Sequence, residues 1–141
     1  MTSLCRMLAI CLVVGSFSAA HGGSLAENKV QKEQMESFQQ YVNGVEEKCG
    51  VKVKATIDFS TFKGTERISI SGFCGYGLEQ IASVCGDEEG KKAVAAKLKS
   101  YTCVYNEKKR DVAMTGGTLK YTVDQNGTQD DFVKKYLMDH L

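Results

Sequence analysis

The sequence predicts an α+β fold, a two-layer sandwich whose five-stranded, mainly antiparallel sheet carries helices on one face. That sheet is expected to be a hairpin followed by a three-stranded meander. Three observations predict this fold. Short segments alternate apolar and polar residues with the period of a strand. Two longer segments repeat apolar residues every three or four positions, as an amphipathic helix does. Collected by parity, the strand residues leave one greasy face and one wet face, so a single helical layer suffices to cover the sheet.

The chain has 141 residues, enough for one domain. Residues 1–20 read as a signal peptide. Arg6 gives a thin positive start, Met7 to Gly15 an apolar run, and Ser18-Ala19-Ala20 a small-residue cleavage site. That run is shorter than the ~20 residues a membrane-spanning helix needs. Residues 21–141 then form a single disulfide-stapled domain, expected to be secreted, either extracellular or periplasmic.

Leu25 to Lys48 is the longest helical candidate, with Met35, Phe38, Tyr41, Val42 and Val45 in one stripe. Val51, Val53, Ala55, Ile57 and Phe59 alternate with Lys52, Lys54, Thr56 and Asp58, and Ile68 and Ile70 alternate with Ser69 and Ser71. These runs predict a hairpin over 51–59 and 67–73. The glycine-dense Gly72-Phe73-Cys74-Gly75-Tyr76-Gly77 reads as a tight turn into a short helix carrying Leu78, Ile81, Ala82 and Cys85. It lacks the GxGxxG spacing of a dinucleotide site.

Asp87-Glu88-Glu89 opens the next helix, followed by lysines that complement its dipole and offer Asp87–Lys91 and Glu88–Lys92 pairs. Three strands follow: Tyr101 to Tyr105, Asp111 to Thr115 and Thr118 to Asp124. Gly116-Gly117 between the last two is a strong hairpin signal, since primed turns need positive φ. Gln129 to Leu141 is the final helix, with Thr128 as its cap and Phe132, Val133, Tyr136, Leu137 and Leu141 inward.

Cys5 and Cys11 fall in the leader, leaving Cys49, Cys74, Cys85 and Cys103 in the mature chain. An even number of cysteines in an exported domain implies two disulfides. With Cys103 facing the helical layer and Cys49 and Cys74 flanking the hairpin, the expected links are Cys85–Cys103 and Cys49–Cys74. The cysteines lack zinc-ligand spacing, so no metal and no cofactor is expected.

Charge and chemistry narrow the function by exclusion. Lys plus Arg is 18 against 17 for Asp plus Glu, too even a balance to steer nucleic acid or an anionic membrane. Histidine is confined to His21 and His140, near the two ends, where neither is held for general-base work. The segment from Asp124 to Asp130 departs from a calcium loop in its glycine position, and Lys135 stands where a bidentate Glu belongs.

The polar sheet face remains. Lys52, Lys54, Lys120 and Thr122 on it, with Phe62 on the hairpin loop, are the candidate contacts for an acidic partner. The leading expectation is a non-enzymatic binding or inhibitor-type module for a protein or surface ligand. The alternatives are a small hydrolase using Asp58, Asp111 and Asp124, or a structural envelope or matrix component. Four cysteines, a leader and a helix on a sheet resemble secreted cystatin-type inhibitors in outline. Those carry a Gln-x-Val-x-Gly loop where this chain has Ser60-Thr61-Phe62-Lys63-Gly64, and a Pro-Trp loop for which it has neither residue, so no family is assigned.

Overall fold

The computed structural model describes residues 24–65, 68–126 and 131–141. The leader, His21, and the Thr128 cap with Gln129 and Asp130 lie outside the described residues. Helix α1 spans Leu25–Cys49, strand β1 Lys54–Ile57, a 3-10 turn Phe59–Phe62, α2 Ile70–Val84, α3 Glu88–Lys97, β2 Ser100–Tyr105, β3 Asp111–Thr115, β4 Thr118–Val123 and α4 Phe132–His140.

The class is α+β, but the sheet has four strands, ordered β1-β2-β4-β3, and it is mixed. Strands β1, β2 and β4 run parallel, and only β3 opposes its neighbour. The hairpin predicted over 51–59 and 67–73 is absent, because its second arm begins helix α2. The Ile68/Ile70 alternation is too short to fix a period, whereas Ile70, Cys74, Leu78, Ile81 and Cys85 recur every three or four residues. The meander is also reordered. Leu119, Tyr121 and Val123 of β4 are fully buried, while β3 shows Asp111, Ala113 and Thr115 to solvent. The greasier strand takes the interior place and the wetter one the edge. Gly116 and Gly117, at φ 58° and 85°, make the turn between them as expected.

Helices α1 and α2 lie side by side and parallel, since contacts advance together along both: Gln34 with Ser71, Tyr41 with Gly75, Cys49 with Cys85. Ser24 and Glu27 form a reciprocal capping box at the start of α1, and Gly50, at φ 68°, closes its end. Asn43-Gly44 does not stop it. Neither α2 nor α4 has a cap from its own N-terminal side chain, so neighbours supply one. Gln34 accepts the Ser71 N–H at 2.8 Å, and buried Gln80 accepts the N–H groups of Val133 and Lys134 at 2.9 and 3.0 Å. At α3, Asp87 is spent capping Gly90 N–H, and Glu88 pairs with Lys91 rather than Lys92.

The glycine-dense stretch is helical, and its glycines serve packing rather than turning. A β-carbon on Gly75 would enter the Tyr41 ring, and one on Gly77 would strike the Tyr101 hydroxyl and the Tyr121 ring. The Gly75 notch lets α2 sit close on α1 and the Gly77 notch lets it sit close on the sheet, although each interior glycine costs about 1 kcal/mol in helix propensity. In the same place Tyr101 donates to the Cys74 carbonyl at 2.6 Å. Burial, with Tyr121 beside it, holds its phenol well above the ordinary value.

The disulfides are Cys49–Cys85 and Cys74–Cys103, which corrects the expected pairing. Cys74 is on the inward side of a helix instead of at a hairpin end, so it meets Cys103 of β2. Cys49 and Cys85 close the parallel ends of α1 and α2. All four sulfur-bearing residues are buried.

Candidate functional site

Every helix packs toward one side of the sheet, and the other side is open. Alternation along the strands sends Val53, Ile57, Tyr101, Cys103, Val112, Leu119, Tyr121 and Val123 inward. The intervening residues form three rows across the open face, read from the strand register. The first is Lys54, Ser100, Thr118 and Thr115, and the second is Thr56, Thr102, Lys120 and Ala113. The third, reached one residue beyond β1, is Asp58, Val104, Thr122 and Asp111.

The face is therefore divided by charge. Its first two rows hold both lysines and five hydroxyls, and its third holds the carboxylates. Lys54 and Lys120 are exposed and have no ion-pair partner among the described residues. Strand spacing of about 4.8 Å and a rise of about 3.3 Å per residue put their α-carbons roughly 12 Å apart. Between them the hydroxyls of Thr56 and Thr102 lie 3.2 Å apart, and those of Ser100 and Thr118 lie 2.7 Å apart. Thr56 also donates to the Tyr101 carbonyl at 3.4 Å, so Thr102 donates to Thr56 and that pair offers lone pairs only, whereas the Ser100–Thr118 pair uses one donor and leaves one proton to water or a ligand.

The carboxylates of the third row are held locally. Asp58 accepts from Ser60 N–H at 3.1 Å and from its hydroxyl at 2.6 Å. Asp111 pairs with Lys109 at 3.7 Å, and Asp124, outside that row and just past the end of β4, accepts the Asn126 N–H at 3.1 Å. Asp58 and Asp111 occupy opposite edges of the sheet. The scattered-acid set is thus not brought together, and no group of three metal-ligating side chains occurs among the described residues.

The other sequence candidates separate. Thr122 and Lys120 are neighbours on β4. Lys52 precedes β1 and pairs with Glu46 at 3.7 Å. Phe62 is 5 % exposed and packs on Tyr105, with ring centroids 5.4 Å apart, so it belongs to the core and offers no anchor. Ser69 and Ser71, expected on the polar face, stand at the start of α2. His140 stacks on Tyr136 at 4.0 Å, its Nδ1 2.7 Å from the Tyr136 carbonyl.

Ser100 and Thr118 were missed as partners because a meander would separate β2 from β4. Their spacing in sequence carries no signal of contact; only the reordered sheet makes them adjacent.

A second concavity lies between α1 and α2, an open groove of about 370 Å³ lined by Gly44, Glu47, Lys48, Glu79, Ala82 and Ser83. Its two carboxylates are solvent-exposed, not held in the desolvated setting that a general acid at neutral pH requires. No described helix is long and apolar enough to cross a membrane.

No protein-family model matches the chain, and no curated protein or solved structure shows detectable similarity to it.

Proposed function

We propose that the protein is an exported, non-enzymatic binding module whose open sheet face docks an anionic partner. The observation that carries this reading is Lys54 and Lys120, two exposed ammonium groups set among hydroxyls on the first two rows of the open face, neither of them in an ion pair among the described residues. Neither lysine is tied into an ion pair, and two ammonium groups on adjoining rows favour an oppositely charged ligand. The leader-like first 20 residues and the two buried disulfides support export, since such links persist in oxidising compartments.

The test compares the wild-type protein with the K54E/K120E double variant, both immobilised and exposed to the extracellular fraction of the source organism. The reading expects a partner that wild type retains, that salt releases, and that the double variant fails to hold. Equal capture by both proteins would sink it.

A further inference from the structure

We infer that the ligand of the open face is an anionic polysaccharide, one bearing carboxylates or sulfates at intervals along a hydroxyl-rich chain. This rests on the docking reading above and names its ligand class.

Protein–protein interfaces centre on aromatic, Arg and apolar anchors that fill pockets and exclude water. Here every aromatic of the strands, Tyr101, Tyr105 and Tyr121, has the inward parity, and the open face offers only Val104 and Ala113 as apolar groups. A globular protein partner would bury this surface without gaining an apolar centre.

A glycan chain presents the complementary chemistry. Its hydroxyls donate to the lone pairs of Thr56 and Thr102 and exchange hydrogen bonds with the Ser100–Thr118 pair, which keeps one proton to donate. Its acid groups meet Lys54 and Lys120, which are point charges on flexible stems and tolerate variation in the position of an anion. The roughly 12 Å between the two α-carbons, estimated from strand spacing, is of the order of a sugar-pair repeat. The route is also bounded. A chain crossing the first two rows passes both lysines, whereas one crossing the third meets Asp58 and Asp111. Charge therefore sets the track as well as the sign of the ligand.

The experiment uses polygalacturonate as probe, with neutral dextran and poly-glutamate as controls, measured by affinity electrophoresis and calorimetry at low and physiological salt. Wild type is expected to bind polygalacturonate, to ignore dextran, and to bind poly-glutamate more weakly. Lys54→Glu and Lys120→Glu should each lower polygalacturonate affinity about tenfold, the order expected for one charge-assisted hydrogen bond. Thr102→Val and Thr118→Val, which keep shape and remove a hydroxyl from the first two rows, should each lower it about threefold and leave poly-glutamate unaffected.

Matched thermal melts establish that the variants fold. Poly-glutamate binding as tight as polygalacturonate and insensitive to the Thr variants would overturn the inference in favour of an acidic protein. Absence of polygalacturonate binding would also overturn it. If lysine-dependent capture from the extracellular fraction then persists, the ligand class is wrong and the docking face stands. If capture is indifferent to K54E/K120E, the face itself is misassigned.

Discussion

The two faces of one sheet follow opposite rules, although each strand contributes to both. On the inward face Tyr101, Cys103, Leu119 and Tyr121 are fully buried, and Gly77 of α2 leaves room for the two tyrosines. On the outward face Lys120, Thr102 and Thr118 alternate with those same residues and touch chiefly water and one another. Inward, a methyl group is decisive because dense packing leaves it nowhere to go. Outward, a whole charge can be reversed with little consequence for folding, because water accommodates the change. Stability resides on one face, and any selectivity for a ligand is left to the other.

The largest break in this contrast should come from the link through the inward face. Replacing Cys74 and Cys103 together by Ser frees α2 from β2 and should cost about 3–5 kcal/mol, read from denaturant midpoints. A loss below about 1 kcal/mol would mean that the helix is held by packing alone.

Gly77→Ala follows, with an expected cost of about 2–3 kcal/mol, because its methyl overlaps the Tyr101 hydroxyl and the Tyr121 ring. Its comparison is Thr118→Ala on the outward face, which should change stability by less than about 0.5 kcal/mol. Equal effects from the two would erase the distinction between faces.

Alkaline titration sharpens it further. Tyr101 has its folded-state ionisation raised by burial, so the neutral phenol's contribution to stability is complete below its unfolded value near pH 10 and declines above it. Ultraviolet absorbance should therefore show this phenol ionising only together with unfolding. A tyrosine count complete before any loss of helix signal would contradict the packing described.

Gln80→Ala should cost about 1–2 kcal/mol and speed amide exchange in α4 selectively, since two N–H groups at its start lose their acceptor. Smallest of all, Lys54→Glu with Lys120→Glu should move the melting temperature by no more than a degree or two, a shift of under about 0.5 kcal/mol.

Much of the fold was legible in particular residues. The stripe of Phe38 and Val45 gave α1, Asp87 gave the start of α3, and Gly116-Gly117 gave the β3–β4 turn. The inward and outward sorting was read from strand parity alone, and Lys54, Lys120 and Thr122 were placed on the right face. The segment from Ile68 to Gly77 has a local pattern that points away from the helix it forms. Two isoleucines flanked by serines mimic a strand, and glycines seldom sit inside a helix unless a ring lies against them. That ring belongs to Tyr41, more than thirty residues away. The error propagated to the disulfides, since Cys74 on a strand and Cys74 on a helix meet different partners.

What the sequence determined by itself was periodicity: which segments coil or extend, and which side of each is apolar. Those properties arise from neighbours within a few residues, through backbone geometry and side-chain direction. Strand order, cysteine pairing, the glutamines that cap distant helices and the Ser100–Thr118 contact were decided by tertiary structure. Each depends on which surfaces pack most densely once all are present, and that comparison is made only in three dimensions.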